Sequence, residues 1–131
     1  MTAPQRPVEL ILMRQLASYL AMPIMIADHA RTLLYFNQAA EALLGRRYAE
    51  TRETRLEDWM RGLPLYDEAG QLIPPEERPL PVVLRERRPV HRRLRLRDPD
   101  GPLIEATVLP LEGQGGRHLG AAIIFWELAA R

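Results

Sequence analysis

The sequence contains no cysteine. That excludes disulfides, thiolate metal sites and any catalysis or photochemistry that runs through a thiol, and it fits a reducing compartment, so a cytoplasmic location is expected. Lysine is missing as well: the 18 basic residues are all arginine, set against 17 acids for a net charge of +1. Such a balance creates no global field that would single out nucleic acid or an acidic substrate. Aromatic residues are sparse, yet an apolar fraction of 47% in 131 residues is ordinary for one domain with one core. Long uninterrupted apolar runs are also absent. The most apolar stretch, VELILMRQLASYLAMPIMIA, is cut by Glu9, Arg14 and Gln15 and broken at Pro23, so no membrane insertion is expected. No compact apolar stretch with a basic start and a small-residue cleavage site stands at the N-terminus, and no signal peptide is expected.

What is present is clear periodicity. From Val8 to Met22, Val8, Leu12, Leu16 and Leu20 recur every fourth residue while Ile11, Met13, Ala17 and Tyr19 widen the stripe, which predicts an amphipathic helix ended by Pro23. Ile24–Ile26 and Leu33–Phe36 read as two strands joined by a turn at Asp28-His29-Ala30. In LYFNQAAEALLG the period changes abruptly at Asn37, from bulky β-formers to Ala, Leu and Glu. Asn37 is the expected N-cap of a short helix, Glu41 complements its positive end, and Gly45 suits the left-handed residue that closes it. So short a helix needs a sheet to lie on.

Further along, Leu56 to Arg61 predicts a short helix, Glu68-Ala69-Gly70 a tight turn, and Pro79 and Pro81 the first turn of a helix that Pro89 terminates. HRRLRLR, LIEATVLPL and LGAAIIFWEL read as three strands linked by the turns DPDG and EGQGGRH. Helix, two strands, helices and three strands indicate an α+β domain: an antiparallel sheet with its helices gathered on one face.

These residues in this order resemble the PAS domain. The resemblance runs from about Leu16 to Leu128 and is carried by the capped junction of Asn37, Ala39, Ala40, Leu44 and Gly45, and by YDEAGQLIPPEERPL, LRERRPV, RLRLRDPDG and ATVLPL. It implies a five-stranded antiparallel sheet with short helices on one face, with residues 1–22 as a flanking helix and residues 23–131 as the PAS-like domain. The chain departs from the family pattern at Arg31, where glycine is common, and at Glu127-Leu128-Ala129, which stands for Asp-Ile-Thr. The resemblance further implies a sensory, ligand-binding and dimerising module of signal transduction, such as those of two-component systems, that passes a signal to an output partner. The competing expectation is a small α+β enzyme or carrier for an apolar molecule.

The family's ligand space lies between sheet and helices. Strand alternation places Ile24, Ile26, Leu94, Leu96, Ala106, Val108, Ala122 and Ile124 on its floor, under Leu56, Trp59, Met60, Val83 and Leu84. An ordinary filled core would use the same residues. No catalytic residues are assigned, since Glu76-Glu77 and Asp98-Asp100 sit in turn-forming sequence with no nucleophile or electrophile beside them. His29, His91 and His118 have no spacing that gathers them on one metal. Haem is disfavoured because Pro79 to Arg88 lacks the histidine that haem-binding members of the family supply, and a cysteine-adduct flavin because there is no cysteine. Arg93, Arg95 and Arg97 should form one basic stripe with His91 opposite Leu94 and Leu96, but no aromatic residue interleaves it, so nucleic acid is not the expected partner. The apolar circumference of the first helix exceeds what one sheet can cover, and a homodimer through that helix is expected.

Overall fold

The computed structural model describes residues 7–128; the outermost residues of the segments 1–22 and 23–131, Ala129 among them, lie outside that range. Helix α1 (Val8–Tyr19) precedes strands β1 (Ile24–Asp28) and β2 (Thr32–Phe36). Then come helices α2 (Gln38–Leu44) and α3 (Tyr48–Thr51), strand β3 (Thr54–Arg55), helix α4 (Leu56–Arg61) and strand β4 (Leu65–Tyr66). A 3-10 turn at Pro75–Glu77 leads into α5 (Pro79–Glu86), and β5 (Val90–Leu96), β6 (Leu103–Glu112) and β7 (His118–Glu127) complete the domain.

The strands form one antiparallel sheet of seven in the order β3-β2-β1-β7-β6-β5-β4. Five were expected; β3 and β4 are two-residue strands on its two edges, too short to show a period of two in sequence. The chain enters the sheet at its middle, because β1 pairs with both β2 and β7. A register shift between Ile26 and Ala27 lets Leu34 and Tyr35 lie on one face while Leu33 and Phe36 lie on the other.

Both faces of this sheet are covered. Helices α2, α4 and α5 close one face over a core that includes Phe36, Leu56, Val83, Leu94 and Phe125. Helix α1 lies on the other, where Leu10 and Ala17, with Met13 at the margin, meet Ile24, Ile26, Leu34, Leu119 and Ala122. The sequence expectation that Ile24, Ile26, Ala122 and Ile124 face the short helices is corrected here: they face α1, and Met25, Ala27, Ala121, Ile123 and Phe125 take the inner positions. The reason is that β1 is buried at all five residues, its polar end Asp28 included, so no exposed position marks the phase of its alternation.

Local chemistry sets the short helices. Asn37 Oδ1 accepts from Ala40 N at 3.0 Å and Gly45 closes α2 at φ 71°. Pro79 opens α5, where a missing N–H costs nothing, and Arg87 ends it in the left-handed region. Helix α1 stops at Tyr19, three residues short of Met22, because Leu20 turns extended. Asn37 Nδ2 then takes up the carbonyls of Ala17, Leu20 and Met22 at 3.0, 3.3 and 2.8 Å.

Candidate ligand cavity

Between sheet and helices lies a cavity of about 50 Å³. Its floor is built by Met25, Leu94, Leu96, Ile104, Ile123 and Phe125, and its cover by Leu44, Leu56, Trp59, Met60 and Leu80. Of the residues expected from sequence, Leu56, Trp59, Met60, Leu94 and Leu96 line it. Leu84, Ala106 and Val108 belong to the same core but stand back from the cavity, and Ile24, Ile26 and Ile124 belong to the face under α1.

Trp59 is held by two neighbours. Phe36 lies against it with ring centroids 5.7 Å apart, the Arg46 guanidinium sits 5.2 Å from its ring centre, and Arg46 also donates to the carbonyls of Trp59 and Gly62. The indole Nε1 is buried and has no hydrogen-bond partner among the described residues.

One cavity residue carries full charge. Arg78, the residue before α5, is only 5% exposed and its Nη1 donates to the carbonyls of Met60 and Leu63 at 3.1 and 2.9 Å, with Nε 3.4 Å from that of Ile73. Loss of water around it lowers its pKa below the usual value for arginine. Sequence reasoning missed Arg78 because nothing local separates one arginine from the other 17. It missed Met25, Ile123 and Phe125 through the phase of the two central strands.

The charged groups along β5 serve the exterior. His91 Nε2 lies 2.6 Å from Glu105, Arg93 is 4.0 Å from Glu68, and Arg95 donates to the carbonyls of Glu68 and Gly101. The expected three-arginine stripe is shortened to two: Arg97 lies beyond β5 at φ 69° and turns to donate to Leu43 O in the last turn of α2. His29 and His118 come within 6.1 Å of each other, measured between ring centres. No group of three or more His, Asp or Glu able to hold a metal occurs among the described residues.

The family model described as the PAS fold matches residues 18–131. The chain belongs to the PAS family. Among solved structures, this PAS domain is similar to that of nitrogen regulation protein NR(II) from Vibrio parahaemolyticus, at 21% identity and a TM-score of 0.58, covering 89% of this chain and 98% of that one. It is also similar to the PAS domain of Bordetella pertussis BvgS, at 16% identity and a TM-score of 0.61, covering 94% and 88% of the two chains. A sensory box sensor histidine kinase from Vibrio cholerae gives 9% identity and a TM-score of 0.61, with 95% and 94% covered. At these identities the likeness is one of fold. No curated protein matches in sequence.

Proposed function

We propose that this PAS domain is a sensory module of signal transduction: a small molecule enters the cavity, the central strands carry the change to α1, and α1 pairs with a second copy. The supporting observation is the alternation of β1 and β7. Met25, Ile123 and Phe125 touch the cavity while their neighbours Ile24, Ile26 and Ile124 lie under α1, so a shift of either strand moves both faces at once. The outward side of α1 supports the pairing, since Val8, Leu12, Leu16 and Tyr19 are 62%, 57%, 53% and 77% exposed. A symmetric contact would cover each stripe with its twin.

The module acts without catalysis, on a cytoplasmic output partner, and holds neither haem nor a cysteine-adduct flavin. The apolar cavity, which brings no carboxylate pair or histidine together, favours this over an enzyme. Among the described residues no helix is long and apolar enough to cross a membrane. The output partner is a signalling protein of the kind to which the Vibrio cholerae sensor histidine kinase belongs.

The test is sedimentation of the full chain at micromolar concentrations beside the double variant Leu12→Glu and Leu16→Glu. A dimer that becomes a folded monomer is the expected result, and a wild-type monomer overturns the pairing. An absorption band of haem or flavin in the purified protein would overturn the cofactor assignment.

A further inference from the structure

Resting on the reading of the cavity as a ligand site, we infer that its entrance is the seam between α4 and the 3-10 turn that leads into α5, and that Arg31 is the latch across this seam. Two pieces of the cavity cover meet there. Leu56, Trp59 and Met60 come from α4, and Pro79, Leu80 and Pro81 from the first turn of α5. Six residues of helix have little stability of their own, so α4 stays in place only through what it is tied to. One guanidinium spans both sides of the seam. Arg31, on the turn between β1 and β2, sets its Nε 2.6 Å from the carboxylate of Glu57 on α4 and its Nη2 3.5 Å from that of Glu76 on the 3-10 turn. Both nitrogens are shielded from water, so the two carboxylates have no solvent substitute.

The two sides of the latch are unequal, which sets where it opens. On the α4 side the turn is also pinned by backbone, since Leu56 N donates to Arg31 O at 2.9 Å. On the other side Glu76 is 67% exposed, and its second carboxylate oxygen lies 3.7 Å from Arg85 Nη1 on α5. Glu76 therefore has one cation across the seam and one on its own side. When the 3-10 turn and the start of α5 lift, Glu76 gives up Arg31 and keeps Arg85, so its charge is not left bare. Paired across the seam or only within its own side, Glu76 supplies the two discrete arrangements that a gate requires.

The experiment follows amide hydrogen exchange in the full chain, wild type beside Arg31→Gly and Glu76→Gln, at low and at molar sodium chloride. Glycine adopts the φ of 67° at position 31 without strain, so the first variant removes the latch and keeps the turn. Amides of α4 and of Glu76 and Glu77 should exchange about fivefold faster in Arg31→Gly, with β6 and β7 unchanged, and Glu76→Gln should reproduce most of the effect. Salt reaches the pair from the exposed Glu76 side, so it should move the wild type toward the variant and leave the variant unaltered. Unchanged exchange in α4, or equal acceleration throughout the sheet, overturns the latch. Glu76→Gln exchanging like the wild type overturns the opening side. Xenon under pressure, read by the methyl shifts of Leu56, Leu94 and Leu96, tests the entrance: binding and release should be faster in Arg31→Gly, and equal rates overturn the gate. Faster α4 exchange with no xenon shift in either protein overturns the ligand cavity, and the entrance with it, while the tie across the seam stands.

Discussion

At the residue scale, Asn37 does more than cap a helix. Its Oδ1 accepts from Ala40 N and also from Ile24 N at 3.1 Å, while Nδ2 serves three carbonyls at the end of α1. One side chain that is 1% exposed therefore joins α1, β1 and α2. If capping were its whole role, aspartate would replace it with little loss. The structure predicts otherwise. Asn37→Asp sets a carboxylate against three carbonyl oxygens and should cost at least as much as Asn37→Ala, each about 3 kcal/mol in urea unfolding. The deficit of the aspartate variant should shrink as pH falls, since protonation restores one donor. An aspartate variant as stable as the parent would show that the bonds to α1 contribute nothing.

At the element scale, the pairing of β1 with β7 depends on Gly120. It sits at φ 153°, opposite Asp28, and a side chain there would place Cβ 2.0 Å from the carbonyl oxygen of Ala27. Neither backbone can retreat, because each strand is paired on both sides. Gly120→Ala should cost roughly 2 to 4 kcal/mol and weaken amide protection in β1 and β7 before the outer strands. Hydrogen exchange that leaves those two strands as well protected as β5 would refute this. Arg31 is an informative contrast at the turn between β1 and β2. It is non-glycine at φ 67°, and its guanidinium pairs with Glu57 at 2.6 Å and Glu76 at 3.5 Å, contacts that a glycine would forgo.

At the scale of the whole molecule, α1 is a second roof as well as the proposed dimerisation helix. Leu10 and Ala17 are 3% and 0% exposed against the outer sheet face, so deleting residues 1–22 would bare Ile24, Ile26 and Leu34. By area transfer the deletion should cost on the order of 4 kcal/mol, a large share of a small domain's stability. Expected is a shortened chain that binds a hydrophobic dye and melts early; a fully stable, dye-silent fragment would contradict the roof. For this reason the Leu12 and Leu16 charges, which lie on the other side of α1, test pairing and the deletion does not.

The sequence by itself determined whatever depends on neighbours along the chain. Asn37 and Gly45 at the ends of α2, Leu56 to Arg61 as α4, Pro79 at the start of α5 and the hairpins around DPDG and EGQGGRH were legible because caps, turns and strand alternation are local. In β5, Leu94 and Leu96 could be placed on the cavity face because the arginines between them marked the other face. Only the tertiary structure decided the phase of β1 and β7. Residues apolar on both faces carry no sign of direction until α1 covers one face and α4 and α5 the other. The same holds for Arg78. Its burial comes from Met60, Leu63 and Ile73, carbonyls 5 to 18 residues away that only the folded chain brings round one guanidinium.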